Sequence, residues 1–357
     1  MLIKQIPEDF VVEELIDLEL NENGEQTYFW LTKKNWTTGK AVSTIAQRCH
    51  TSMRRFKFAG NKDRNAITKQ AISAFKISPE QLKRIMIKDI EINVIGKGNI
   101  PISLGTLRGN HFTIIVRDLK AKVNSKKLAK LKSKGFPNYF GEQRFGYGNT
   151  HLVGKEILKG NLEEAIKLII TYSEGSNKDT KIAKEFALKN WGNWKDIIVK
   201  FPHYMDLEKA VLNWLIQHPT DFGGALRVIP KTMRRMYVHA YQSEIWNKAL
   251  EKCAPSLKGN PELPIPGTDT KLSKDKFSKA IVLLLKKEKV TLQDFSSKRI
   301  PELSSEGTER KAFVKPKTLK IGKLEKDELN KGRYKTKITF SLDKGAYATE
   351  LIKYLFS

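Results

Sequence analysis

One acid stands among cations in the stretch Phe58-Ala59-Gly60-Asn61-Lys62-Asp63-Arg64-Asn65-Ala66-Ile67-Thr68-Lys69-Gln70. Lys62, Arg64 and Lys69 surround Asp63 along the chain. Nearby positive charge favours an ionised carboxylate, and an ionised carboxylate can act as a nucleophile or a general base. Gly60 permits a tight turn or a close backbone approach. On bare spacing, a polar hairpin loop ahead of a strand at Ile72 is the better reading of the same residues. A second stretch, Pro137-Asn138-Tyr139-Phe140-Gly141-Glu142-Gln143-Arg144-Phe145-Gly146, combines aromatics, glycines and a guanidinium. A base taken out of its stack needs a flat apolar face and polar groups that read its edge. Core aromatics beside a turn would look the same. In a third stretch, Leu104 to Phe112, two glycines and Arg108 precede a strand, which suits a loop close to a nucleic-acid backbone and equally any strand entry.

Motifs that fail narrow the class. No GxxxxGK[ST] occurs, which argues against a P-loop nucleotide hydrolase. Asn61-Lys62-Asp63-Arg64 misses the GTPase base-reading pattern, which needs Asp where Arg64 stands. The Gly96-Lys97-Gly98 and Gly146-Tyr147-Gly148 segments lack the third glycine of a dinucleotide fingerprint. The two cysteines, Cys49 and Cys253, form no CxxC pair and there is no HExxH, so no metal site is expected. The start MLIKQIPEDF is not a signal peptide, and the longest aliphatic run, Ala280 to Leu285, is far too short to span a bilayer. A soluble, cytoplasmic protein is expected. Lys plus Arg number 65 against 39 Asp plus Glu, a formal net charge of +26. Such an excess attracts polyanions. No basic amphipathic helix or polybasic tail points to a membrane surface.

The elements that must carry these residues follow from periodicity. The 357 residues suggest about two domains. Gln26 to Lys33, Ile72 to Ile77, Ile90 to Ile95 and His111 to Arg117 read as strands. Thr38 to His50 places Val42, Ile45, Ala46 and Cys49 on one helical face. Ser78, Pro79 and Gln81 form a helix-start signature. Asn124 to Gly135 is a basic helix closed by glycine. From about Asn161 to Leu250 the pattern is helical, and Pro255 to Gly267 reads as a long loop. Strand pattern returns from about Ala312, most clearly at Tyr334 to Leu342, before a short helix after Gly345. This order predicts one domain inserted into another, with the two chain ends completing one sheet. The Lys-rich segments 120–134 and 315–337 are the expected electrostatic footprints, and a solvated face would read the same.

Together the segments resemble the TruD family of transfer-RNA pseudouridine synthases. They occur in that family's order: Pro7-Glu8-Asp9-Phe10, then Gly60 to Gln70, Leu104 to Phe112 and Asn138 to Gly146. Val238 to Asn247 resembles the family's helical motif, and Gly345 to Leu355 its closing helix. The resemblance implies a V-shaped α+β molecule. A catalytic domain with a mixed, mainly antiparallel sheet would occupy 1–159 and 310–357, and an inserted α/β domain 160–309. It gives Asp63 the place of the catalytic aspartate and Phe140 that of the aromatic packed on the target base. Asn138 would be a polar partner in the pocket, with Phe10 and Lys4 lining it and Lys4 pairing with Asp63. Lys62, Arg64, Gly60 and Arg144 complete the expected substrate-binding set. Uridine isomerisation breaks the C1′–N1 bond, turns the base and forms a C1′–C5 bond, so no cofactor is needed. The implied partner is tRNA, its implied target uridine 13 of the D-arm, and the implied state a monomer. The rival readings are a non-catalytic RNA-binding protein of the same fold, or another RNA enzyme such as a nuclease or methyltransferase.

Lysine and arginine contacts to phosphates release counterions. RNA binding should therefore weaken steeply between 50 mM and 200 mM salt, with a linear fall of log K against log salt. Filter binding across that range checks it, and a flat response would remove the phosphate contacts.

Overall fold

Alternating apolar and polar residues build a sheet, and residues from both ends of the chain contribute to it. The computed structural model describes residues 1–120, 123–297 and 300–356. The N-terminal strands are β1 (Phe10–Ile16), β2 (Gln26–Lys34), β3 (Phe56–Phe58), β4 (Ile67–Phe75), β5 (Ile90–Gly98) and β6 (Leu107–Leu119). Lys317–Ile321, Glu325–Lys326 and Tyr334–Asp343 come from the far end. Among the described residues these make one nine-stranded sheet. Its path runs Lys317–Ile321, Tyr334–Asp343, β6, β1, β4, β2, β5. β1 and β4 run parallel, and the other pairs are antiparallel. The architecture is therefore α+β with a mixed, mainly antiparallel sheet.

Among the described residues three apolar clusters lie along this sheet, one around Tyr28, Ala71 and Leu107 and two that take up helices. In one, helix α1 (Thr38–Arg48) sets Val42, Ile45 and Ala46 against Phe29, Leu31 and Ile72. Its first turn is closed by Thr37, whose side chain accepts the Lys40 N–H. In the other, Leu351, Ile352 and Leu355 of the helix Ala348–Phe356 join Phe10, Val12, Phe112, Ile114, Ile338 and Phe340. Helix α2 (Pro79–Lys83) carries the capping box of Ser78 and Gln81. Helix α3 (Ser125–Lys134) is capped by Asn124 and stopped by Gly135 at φ 90°. It buries Leu131 and exposes Lys126, Lys130 and Lys132. Lys122 of the same Lys-rich segment lies outside the described residues.

The chain divides into two compact units, Met1–Phe136 with Val314 onward, and Pro137–Phe313. The crossings between the units fall at 136/137 and 313/314. The second unit is mainly helical, with Lys231–Cys253 its longest helix. The long loop expected at Pro255 to Gly267 instead contains a strand, Glu262–Ile265, paired antiparallel with Thr308–Lys311. Pro264 stands opposite Glu309 in this ribbon. A two-stranded ribbon has two edges, and an edge tolerates the missing N–H of proline. The partner strand is remote in sequence, so proline and glycine content suggested only a loop. No helix among the described residues is long and apolar enough to cross a membrane.

A buried ion network ties the first unit's two chain segments together. Arg117 on β6 donates through Nε to both carboxylate oxygens of Asp9, at 2.8 and 3.0 Å. Its Nη1 donates to Asp327 Oδ1 at 2.9 Å, and Nη2 lies 3.1 Å from Glu328 Oε1. Asp327 also accepts the N–H groups of Asp118 and Leu329 and a bond from the Asn330 side chain. Burial pushes the Asp327 carboxyl up, but these donors outweigh it and hold it well below the usual carboxylate range. A carboxyl depressed in the folded state stabilises above its unfolded pKa and loses that contribution as pH falls. The stability gap between wild type and Asp327→Asn should therefore be flat above about pH 4 and narrow as pH drops further. Urea unfolding at a series of pH values measures it, and a gap independent of pH down to about 2 would contradict the network.

Candidate active site

Asp63 lies in the loop between β3 and β4, and buried side chains of the sheet and α1 hold that loop at successive points. Gly60, at φ 156°, has open space where a Cβ would stand, so the backbone conformation rather than crowding calls for glycine. Gln70 Nε2 donates to Gly60 O at 3.2 Å. The Lys62 N–H donates to Thr38 Oγ1 at 3.0 Å, and Thr38 in turn donates to Gln70 Oε1 at 2.8 Å. Lys33 Nζ donates to Asp63 O at 2.8 Å and to Trp36 O at 2.6 Å. Burial pushes the Lys33 ammonium down to about 8; Asp63 opposes that fall and Lys62 adds to it.

The Asp63 carboxylate meets a cation from far away in the sequence. Its Oδ2 accepts a hydrogen bond from Lys4 Nζ at 2.9 Å. The same ammonium lies 4.1 Å from the centroid of the Phe10 ring. Lys4 adopts the left-handed backbone region, φ 62°. Phe10 is buried, edge-on to Phe112 at 6.1 Å, and Phe112 stacks on Phe340 at 5.3 Å. Asp63 and Lys4 keep side-chain exposures of 32% and 25%, so the pair is anchored yet reachable.

The cations adjacent in sequence do other things. Lys62 directs its ammonium to Glu14 Oε1 at 2.6 Å, and Glu14 Oε2 accepts the Ala71 N–H. Lys69 points to the opposite sheet face, 5.3 Å from the Trp30 ring. Arg64 is exposed. Sequence adjacency to Asp63 therefore does not make Lys62 or Lys69 its partner: Lys62 is taken up by Glu14 beneath the loop, and Lys69, on β4, is sent to the other sheet face by strand alternation. Lys33 and Glu14 carry no motif. Their signal was phase, because Phe29, Leu31 and Lys33 share one buried face of β2, as Phe10, Val12 and Glu14 do on β1.

The second expected cluster belongs to the other unit. Phe140 is 9% exposed, and its main chain is held by Asn247, which donates to Phe140 O and accepts the Phe140 N–H, both at 2.9 Å. Trp246 meets the Phe140 ring edge-on at 5.7 Å. The Arg310 guanidinium lies 4.1 Å from the ring centroid. Arg310 also donates to Asn138 Oδ1 at 2.6 Å and to Asn138 O at 2.9 Å. Asn138 Nδ2 donates to Lys311 O. Arg144 lies 5.7 Å from the Phe140 ring and donates to Ser243 Oγ at 3.2 Å. The Val238 to Asn247 motif thus supplies the groups that orient Phe140 and Arg144. Arg310, which no motif marked, binds Asn138 and covers Phe140. Among the described residues no cluster of His, Cys, Asp and Glu is arranged to hold a metal ion.

Comparison with known proteins gives one consistent result. The family model described as tRNA pseudouridine synthase D (TruD) matches residues 1–258 and 254–355. The chain is 33% identical to a protein of Methanosarcina acetivorans named probable tRNA pseudouridine synthase D, over 98% of this chain and 91% of that one. It is 34% identical to a protein of the same name from Methanopyrus kandleri, over 93% of this chain and 86% of that one. A crystal structure of a TruD-assigned protein from Methanosarcina mazei superposes with a TM-score of 0.79 at 31% identity, covering 99% of this chain and 93% of that one.

The contacts of Arg310 have a measurable consequence. Hydrogen bonds from a charged donor are worth about 1.5–3 kcal/mol. Arg310→Met should destabilise the Pro137–Phe313 unit by about that amount, read as a lower denaturant midpoint. An unchanged midpoint would mean that the guanidinium does not hold Asn138.

Proposed function

Because the chain belongs to the TruD family of tRNA pseudouridine synthases, we propose that it isomerises uridine to pseudouridine in tRNA, with Asp63 as nucleophile. The observation that carries this reading is the Asp63 carboxylate: its main chain is anchored by Lys33, its Oδ2 is held by Lys4 over Phe10, and it remains reachable from outside. Oδ1 is then the attacking oxygen. The bond that Oδ1 forms to the substrate carbon breaks again as product forms, so the carboxylate is regenerated; meanwhile the C1′–N1 bond breaks, the base turns, the C1′–C5 bond forms, the C5 proton is lost and N1 gains one. Atoms and electrons balance without an oxidant, reductant or group donor. The cost is positional: the uridine must leave its stack, a few kcal/mol, and the attacking atom must sit within reach of the reacting carbon.

The family resemblance assigns Phe140 to packing on the base and Asn138 to its polar edge. Phe140 lies under the Arg310 guanidinium, so stacking on that face requires Arg310 to move aside. Stacking on an aromatic ring is worth about 1–3 kcal/mol per base, enough to offset most of the unstacking. The catalytic unit in this reading is Met1–Phe136 with Val314 onward, and Pro137–Phe313 is the insertion in the sequence. Arg64, which is exposed, would meet a phosphate, and Lys62 would steady the loop through Glu14 rather than touch the base. The target proposed is uridine 13 of the D-arm.

Release of tritium from 5-³H-uridine tRNA tests the reading directly, since isomerisation frees the C5 hydrogen whereas binding, cleavage or methylation elsewhere does not. Asp63→Ala should lower the rate by about 10⁴-fold or more while tRNA affinity holds, the pattern of a residue used in the transition state. Near-wild-type turnover would end the nucleophile assignment. Mapping pseudouridine in the product tRNA locates the target, and modification confined to other positions would overturn uridine 13.

A further inference from the structure

Lys33 breaks the pattern of its own strand. Phe29 and Leu31 on the same face of β2 are fully buried and apolar, and Lys33 beside them is equally inaccessible, at 0% exposure. A buried ammonium is costly unless hydrogen-bonded, and an apolar side chain of similar volume is often as stable in such a place. What the ammonium holds accounts for its presence. Its acceptors are two carbonyls, Trp36 O in the turn entering α1 and Asp63 O, thirty positions along the chain. Gln70 and Thr38 secure the start of the loop, at Gly60 and at Lys62. Lys33 secures Asp63 itself.

We propose that Lys33 is a positioning residue for the isomerisation: by binding the main-chain carbonyl of Asp63 it sets the carboxylate at the height where Oδ2 meets Lys4 and Oδ1 faces the substrate. The inference rests on the assignment of Asp63 as nucleophile. Lys33 never touches the reacting atoms. Its effect passes through the backbone, because the Asp63 side chain can only be as well placed as the Cα that carries it. Lys4 by itself is a poor guide to position, since its side chain is long and a quarter exposed. The Lys33 anchor has neither weakness: its stem is packed in the strand and both acceptors are main chain. Glu14 and Lys62 form the neighbouring ion pair, so Lys33 and Glu14 face the loop from the sheet, Lys4 faces it from the N-terminal segment, and the loop itself carries Lys62, Asp63 and the exposed Arg64.

A displacement of the reacting oxygen by an ångström costs about 100-fold. Lys33→Met keeps the stem and removes the ammonium, so kcat for tritium release should fall about 100-fold while KM and the dissociation constant for tRNA stay near wild type. The decisive comparison uses Lys33→Cys in a background with the two buried thiols replaced, Cys49→Ala and Cys253→Ala. Alkylating the denatured protein with 2-bromoethylamine before refolding rebuilds an ammonium at lysine's reach; 1-bromopropane gives an uncharged side chain of the same size. The aminoethyl protein should recover most of the background's kcat, and the propyl protein should stay near the Lys33→Met level. This matched pair also decides the matter if Lys33→Met does not fold. Equal activity of the two, or a loss that falls on KM rather than kcat, would overturn the positioning role. Asp63→Ala run in parallel separates the two ideas. If it is active, the nucleophile reading fails; if it is inert while Lys33→Met is fully active, only the Lys33 proposal fails.

Discussion

The first unit depends on a guanidinium removed from water. Arg117 joins Asp9, just before β1, to Asp327, in the turn before the last strand, and β6 carries it between them. Two buried carboxylates without this cation would be strongly unfavourable, and the cation without them equally so. The network therefore leaves one arrangement for the N-terminal segment. That segment presents Lys4 and Phe10, and β1 beyond it brings Glu14 beneath the Asp63 loop. Desolvation of the ions offsets much of their attraction, whereas removing one partner alone leaves an uncompensated buried charge.

Lysine does three different jobs within one small region. Lys4 is a partly exposed counter-ion, and such a pair is worth at most about 1 kcal/mol, so its value is orientation. Lys62 is the partner of a buried acid. Lys33 is a buried donor to main-chain carbonyls. One residue type serves all three because its charge sits at the end of a flexible apolar stem, which can be packed while the head is directed elsewhere. The +26 net charge thus overstates the cations available to a polyanion at the site, because several are already committed within the fold.

The second unit shows the same economy around an aromatic ring. Phe140 is held by Asn247 through both main-chain groups and is covered by Arg310, which also binds Asn138. The two residues that the family resemblance singles out are joined through an arginine that the resemblance did not mark. Planarity suits arginine to both roles, because the fork reaches a carboxamide and a carbonyl while the flat face lies on the ring.

Much of this protein could be read before its structure. Local rules were enough for elements whose signals are local: the Ser78 capping box, the Asn124 to Gly135 helix and the strand at Gln26 all depend on residues within a few positions of each other. The family was legible as well, because ordered motifs survive where overall identity to the relatives is near one third. Alternation tells which face of a strand a residue takes, and Lys33 and Glu14 stand in phase with the buried apolar residues of their strands, a signal that motif reading passes over. What alternation could not tell was what they meet. The family resemblance already pairs Lys4 with Asp63, but the partner of Lys62 is Glu14, the distant acceptor of Lys33 is the Asp63 main chain, and the strand at Glu262 exists only because Thr308–Lys311 comes alongside. Those pairings join residues tens of positions apart, and sequence distance carries no information about them. Only the folded sheet, by fixing which strands are neighbours and in which register, decides which charge stands beside which.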